Sequence, residues 1–298
     1  MTYRVLVVGA VRDSTTNLKR TFKVLSRMIR SLGGSPTFFL VESDSRRATL
    51  KTLDNLKRRN ANIEFQSLGN LAREIPDRVS RIAYCRNKYL EYLESQLTAD
   101  NRFTHVVIAD FDGVNTNVKY PKEPTLLFTE TTVVCTNQRT RYYDILALRS
   151  NGWVDQDYRL DVLSGIHQGR DIASCYNAAV WSKQVHISPN SEPLSVASAF
   201  GGLAIYPTSL LSGSRYSSKK LNDGIHECEH ISISQQVLRR GGCIQILPRL
   251  RNRGSWEHTI MASWLGRLFL ALTPRALMDG FIRSRSKWLD EHPSMIKF

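Results

Sequence analysis

Apolar and polar positions in the first third of the chain predict strand and helix in turn. Val5-Leu6-Val7-Val8 is a short apolar run ending at Gly9-Ala10, the pattern of a strand buried on both faces. Leu18, Phe22, Leu25, Ile29 and Leu32 then recur at helical spacing, with N-cap candidates at 13–16 and a stop at Gly33-Gly34. A second strand at 37–41 runs into Glu42-Ser43-Asp44. A charged helix at 48–59 and a third strand at 63–65 come next. A helix from about 79 to 97 delivers the chain to a fourth strand, Val106-Val107-Ile108-Ala109. Repeated strand–helix units predict an α/β fold with a mostly parallel sheet flanked by helices. Ligands of such sheets gather at the carboxyl ends of the strands. Arg12, Glu42, Asp44, Asp110 and Asp112 all fall there.

The pattern after Gly113 is less regular. Residues 142–148 read as a strand, 198–206 as a glycine-containing strand, and 231–240 as a helix stopped by Gly241-Gly242. There is no internal repeat and no low-complexity linker. A boundary near Gly113 separates a cofactor-type half from a substrate-type half.

Composition narrows the class. The 298 residues are 42% hydrophobic, enough for a substantial core, and no apolar stretch reaches membrane-spanning length. Met1-Thr2-Tyr3-Arg4 leads directly into a strand, so no leader segment is expected. The five cysteines lack any Cys-x-x-Cys pair and read as reduced thiols of a cytoplasmic protein. Net charge is +14, and half of it lies from Arg239 onward, where 11 Lys/Arg face 4 Asp/Glu. Such an excess suits a polyanionic partner: nucleic acid, anionic lipid or a phosphorylated substrate.

The fourth strand carries the densest chemistry. Asp110 and Asp112 are two apart, so extended backbone aims both carboxylates to one face, toward one cation or phosphate. Without something positive to meet them, their desolvation is costly. In the preceding helix, Arg86 falls inside the stripe of Val79, Ile82, Ala83, Leu90 and Leu93, where a guanidinium needs an anionic partner. That partner is a diphosphate or the Asp cluster on a functional reading, or a core carboxylate in a structural ion pair. His226-Glu227-Cys228-Glu229-His230 is a literal HExxH, but the turn at Asn222-Asp223-Gly224 denies it the upstream helix that a zinc site needs.

Asp110-Phe111-Asp112, preceded by a helix bearing Arg86-Asn87, resembles the nucleotide-sugar-dependent glycosyltransferases of the GT-A fold. Phe200-Gly201-Gly202-Leu203 resembles the strand that lines the donor sugar in that family, and Glu227-Cys228-Glu229-His230 its acidic motif, with His230 where the commoner form ends in Asp. The resemblance covers roughly residues 3–260. It implies a Rossmann-like GT-A domain at 1–258, with a nucleotide-binding half at 1–115 and an acceptor half at 116–258. A basic amphipathic extension follows at 259–298.

The activity implied is metal-dependent transfer of a sugar from a nucleoside diphosphate donor to a glycan or lipid-linked glycan, in cell-surface polysaccharide synthesis. Mn2+ or Mg2+ would sit on Asp110, Asp112 and His258. Arg12, Glu42, Arg86, Asp110, Asp112, Gly201 and Gly202 would contact the donor. In an inverting enzyme, Glu229 would take the proton of the acceptor hydroxyl.

Two other readings start from the same residues. Ile108-Ala109-Asp110-Phe111-Asp112-Gly113 also resembles the first motif of haloacid dehalogenase-like phosphatases, but it lies some hundred residues in and lacks a later paired-acid strand end. A nucleic-acid-binding protein would interleave aromatics with its basic residues. Here the excess follows an apolar, Trp-containing segment instead, so no nucleic acid is expected. Residues 259–298 read equally as an interfacial segment on an anionic leaflet or as a core helix with a solvated tail. The first places the protein in the cytoplasm, at the inner face of the membrane.

Overall fold

In this computed structural model, residues 3–97, 103–221, 224–254, 260–263, 266, 269, 272–286 and 288–291 are described. Strand β1 (Tyr3–Val11) is followed by helix α1 (Thr16–Ser31), β2 (Gly34–Glu42), α2 (Arg47–Arg59), β3 (Ile63–Ser67), α3 (Arg78–Ser95) and β4 (His105–Ala109). Each predicted element of this half is present. β3, β2, β1 and β4 lie side by side and parallel. Val5 to Val8 are fully buried because β1 sits between β2 and β4 with helices on both faces. Val5 and Val7 pack toward Leu18, Leu25, Met28 and Ile29 of α1. Leu6 and Val8 face the other way, toward Ala83, Tyr89, Leu90 and Leu93 of α3. Each such side chain contributes about 1.5–3 kcal/mol when fully buried.

The sheet continues through the second half. β5 (Thr132–Gln138), α4 (Tyr158–His167), α5 (Ile172–Ala179), β6 (Leu194–Ser195), β7 (Leu203–Pro207), α6 (Thr208–Leu211), α7 (Glu229–Arg239) and β8 (Cys243–Asn252) follow. The strand order is β3-β2-β1-β4-β7-β5-β8-β6. β7 runs antiparallel between β4 and β5, β8 is parallel to β5, and β6 is antiparallel to β8. The sheet is therefore mixed, with parallel pairs outnumbering antiparallel ones. Because β7 is reversed, its amino end meets the carboxyl end of β4, with Ala109 opposite Leu203. The start of β7 and the end of β4 thus share one rim.

Two sequence expectations change here. Residues 142–148 form an irregular loop, not a strand. β5 already has β7 on one edge and β8 on the other, so no ladder is open to them. The loop's apolar residues Tyr142, Ile145, Ala147 and Leu148 are buried all the same. The second change is that β7 begins only at Leu203, because Gly201 and Gly202 take left-handed φ of +68° and +85°, which no strand continues.

A third cluster joins α4 and α5 to the end of the chain. Val162, Ile166, Cys175 and Tyr176 pack with Met278, Ile282 and Leu289, the first two of these on α8 (Arg275–Arg285). Phe269, Leu272 and Leu277 remain exposed. Among the described residues, no helix is long and apolar enough to cross a membrane. All five cysteines are free thiols, four of them buried.

Candidate active site

A cleft of about 680 Å³ opens where β1, β2 and β4 end. β4 stops at Ala109, and the Asp110 amide donates to the Gly202 carbonyl at 2.9 Å, tying the strand end to the start of β7. Asp110 and Asp112 both line the cleft, while Phe111 between them is buried in the core. The expected alternation is retained although the strand has ended. Gly9 makes room for it, since a Cβ there would lie 2.4 Å from the Ala109 carbonyl and 2.6 Å from the Phe111 ring. The loop into α1 pins the turn: Ser14 Oγ donates to the Phe111 carbonyl at 2.7 Å, and Asn17 Nδ2 to that of Asp112 at 2.6 Å. The Asp112 carboxylate is exposed to the cleft and accepts only the Val114 amide, at 3.2 Å, among the described residues.

Arg86 reaches this floor from α3. Its guanidinium is buried, with Nη2 3.6 Å from Asp110 Oδ1 and Nε 3.3 Å from Glu229 Oε1. The Phe200 and Tyr216 rings lie 5.0 and 5.5 Å from it, a cation–π cradle on an already desolvated cation. Nη1 also meets the His230 ring. Arginine carries only donors, so the ring nitrogen facing it must be an acceptor. Burial and the adjacent cation hold His230 well below the usual histidine range, and it is neutral. His230 stacks on Phe200 with centroids 3.9 Å apart. The two partners offered to Arg86 by its sequence position are thus both present, as the Asp cluster and a core carboxylate.

Asp144 is the residue that sequence reasoning missed. It lines the cleft from the 142–148 loop, and its Oδ2 accepts the Gly201 amide at 2.9 Å. Burial raises its carboxyl, as does the charge of Glu229, against backbone hydrogen bonds from Gly201 and Ala147. Asp110 is pushed up to about 8 by burial and by Asp112, with Asp144 and Glu229 adding to it, while Arg86 pulls the other way. A third of the Asp110 side chain still opens to the cleft, so a cation arriving from solvent can reach it. Four carboxylates around one guanidinium leave an excess of negative charge on the floor.

Gly201 and Gly202 lie behind the floor and do not line the cleft. The Gly201 carbonyl accepts from Thr136 Oγ1, Gln138 Nε2 and Asn252 Nδ2 at 2.9, 3.0 and 2.7 Å. That of Gly202 accepts from Asn115 Nδ2 as well as from Asp110. This fully buried polar network sets the height of both Asp110 and Asp144. Glu42 is also away from the cleft: buried, it accepts from the Ser45 amide and Ser67 Oγ and holds the loops after β2 and β3. Arg12 stands on the rim with Arg78 and Arg253. None of these three has an ion-pair partner among the described residues. His258 lies outside the described residues.

The HExxH residues do not converge. α7 begins at Glu229, so His226 precedes the helix, where its Nδ1 meets Ser218 Oγ at 3.1 Å. His230 is taken by Arg86. Among the described residues, no group of three or more His, Cys, Asp or Glu side chains is arranged to hold a metal.

No family model and no curated protein matches the chain. Solved structures resemble it at a distance. A mannosyltransferase from Pyrobaculum calidifontis in complex with GDP-Man and Mn2+ aligns with 85% of this chain and 56% of its own, at 13% identity and TM-score 0.44. S. aureus TarS aligns with 84% and 59%, at 10% identity and TM-score 0.43. GalNAc-T7 with UDP, GalNAc and Mn2+ aligns with 84% and 43%, at 13% identity and TM-score 0.45. The chain spans about half the length of these proteins. Likeness this distant assigns no activity, and the functional reading rests on the cleft.

Proposed function

We propose that this chain is a GT-A-type glycosyltransferase that moves a sugar from a nucleoside diphosphate donor to an acceptor hydroxyl with the help of Mn2+ or Mg2+. The observation that carries the reading is the floor itself: Asp110 and Asp112 at a strand end, facing a cleft rimmed by Arg12, Arg78 and Arg253. The order of motifs in the sequence supports the same reading.

The residues fit a hard divalent cation. Burial first, and then the charge of Asp112, push Asp110 up to about 8, and a cation at the floor would favour its charged form. Mg2+ and Mn2+ take one or two carboxylates and complete their shell with phosphate oxygens and water, and Asp110 and Asp112 on the cleft offer that pair. Asp112 would hold the ion, with Asp110 behind it. When bound, the ion supplies positive charge against the charge that grows on the leaving diphosphate. Arg12, Arg78 and Arg253 add fixed positive charge around that group. Arg86 stays with Asp110 and Glu229 and keeps them apart.

Residues 1–115 then serve as the donor half and 116–258 as the acceptor half. The exposed Phe269, Leu272 and Leu277 and the basic excess of the tail support an acceptor carried on an anionic membrane surface, as in polysaccharide synthesis on lipid-linked glycans.

Isothermal calorimetry tests the donor site. UDP or GDP should bind with Mn2+ and not without it, and Asp112→Ala should abolish that binding. No nucleotide binding under any condition refutes the reading. Phosphomonoester hydrolysis that depends on Asp110 would replace it with the phosphatase reading.

A further inference from the structure

We propose that Asp144, not Glu229, accepts the proton of the incoming hydroxyl, and that Glu229 is a positioning residue for Arg86. The inference rests on the sugar-transfer reading.

A general base needs a carboxylate open to the acceptor. Glu229 lines the cleft too, but its carboxylate is engaged and nearly closed off from it. Its side chain is 8% exposed, Oε1 lies 3.3 Å from Arg86 Nε, and Oε2 accepts the Cys228 thiol. A proton added to Glu229 would strip a buried guanidinium of a partner, and breaking such a pair is strongly unfavourable. The neighbouring His230 offers no relief, because it is itself bound to Arg86.

Asp144 meets the requirement. It lines the same cleft, is more open than Glu229, and has no cation within 4.0 Å among the described residues. Its orientation is set by backbone, through the Gly201 amide on Oδ2 and the Ala147 amide. Such bonds aim a carboxylate without neutralising it. It lies near enough to Asp110 and Glu229 that each carboxylate's charge is felt by the other. The acceptor proton therefore has a destination that does not break the Arg86–Glu229 pair.

The step balances. The acceptor O–H proton passes to Asp144 as the oxygen's electron pair forms a bond to the anomeric carbon. The bond from that carbon to the diphosphate oxygen breaks, and its electron pair leaves on the diphosphate. Asp144 later returns the proton to water.

The test uses the full chain and the sugar nucleotide that it turns over, read as nucleoside diphosphate release. Asp144→Asn and Asp144→Ala should bind nucleotide with Mn2+ within about twofold of wild type and lose turnover by roughly a hundredfold or more. Azide attacks the anomeric carbon without giving up a proton. It should restore diphosphate release in Asp144→Ala, with formation of a glycosyl azide, and leave Glu229→Gln unrescued. Glu229→Gln keeps a partner for Arg86 and should lose about tenfold or less. Wild-type turnover in Asp144→Asn, or a hundredfold loss in Glu229→Gln with rescue by azide there, overturns the assignment. If Asp144→Ala is inactive, folded by its melting curve and unresponsive to azide, the proton role is also refuted. Failure of the wild-type chain to bind any nucleotide would instead remove the sugar-transfer reading beneath it.

Discussion

Gly201 carries the backbone that holds both Asp144 and the buried polar network, and Gly201→Ala gives a sharp test of that geometry. Its φ is +68°, and a Cβ would stand 2.4 Å from the Thr136 carbonyl oxygen and 2.7 Å from Gln138 Nε2. The left-handed conformation costs an alanine about 1–2 kcal/mol. Forcing a methyl into an occupied space adds about 1–3 kcal/mol. Alanine also stiffens the unfolded chain, which offsets roughly 0.4–1 kcal/mol. Mid-range values leave a net loss of about 3 kcal/mol, a fall in Tm of about 6–12 °C at ~2–4 °C per kcal/mol. Gly152 provides the control, with φ of +73° and nothing within 4 Å of its would-be Cβ. Gly152→Ala meets only the backbone strain less the stiffening, about 1 kcal/mol, so its Tm should fall by only about 2–4 °C. Differential scanning calorimetry of both variants separates strain from overlap. Equal losses in the two would refute the close approach at Gly201, and with it the floor that sets Asp144.

Two further outcomes follow from charge. Asp110 is lifted to about 8, above its unfolded value of 3.8, so the metal-free protein should lose stability as pH rises through that window. The ion needs the carboxylate form, so affinity for nucleotide with Mn2+ should climb toward pH 8, by up to about tenfold per pH unit, and Asp110→Asn should flatten the climb. Calorimetry in buffers of different ionisation enthalpy would read the released proton, and no release at pH 6.5 would contradict the shift. For the tail, vesicles with anionic lipid should sediment the full chain and leave behind a version ending at residue 258, while equal sedimentation would exclude the tail as the anchor.

The half of the fold up to Ala109 was legible because buried strands and amphipathic helices carry periods that the chain spells out. Arg86 was legible too, as a charge inside an apolar stripe, and Asp110 and Asp112 as carboxylates at the end of an apolar strand. The loop at 142–148 was not. Tyr142, Ile145, Ala147 and Leu148 are buried as strand residues would be, and only the occupancy of both edges of β5, a fact of tertiary structure, rules the strand out. That misreading hid Asp144. Gly201-Gly202 signalled a special backbone position, but not whether it lined the cleft or lay behind it. Glu42 lies at a strand end like Asp110, yet Ser45 and Ser67 turn its carboxylate inward, and no spacing rule reports such loop contacts.

The central claim is that the floor formed by Asp110 and Asp112 holds a divalent cation and a donor diphosphate. Crystals grown with Mn2+ and UDP or GDP, with anomalous diffraction measured at the manganese edge, test it most directly. The account predicts one manganese peak bonded to the Asp112 carboxylate and to the diphosphate, with Arg86 still on Asp110 and Glu229. A nucleotide bound elsewhere, or a manganese that touches neither Asp110 nor Asp112, would contradict it.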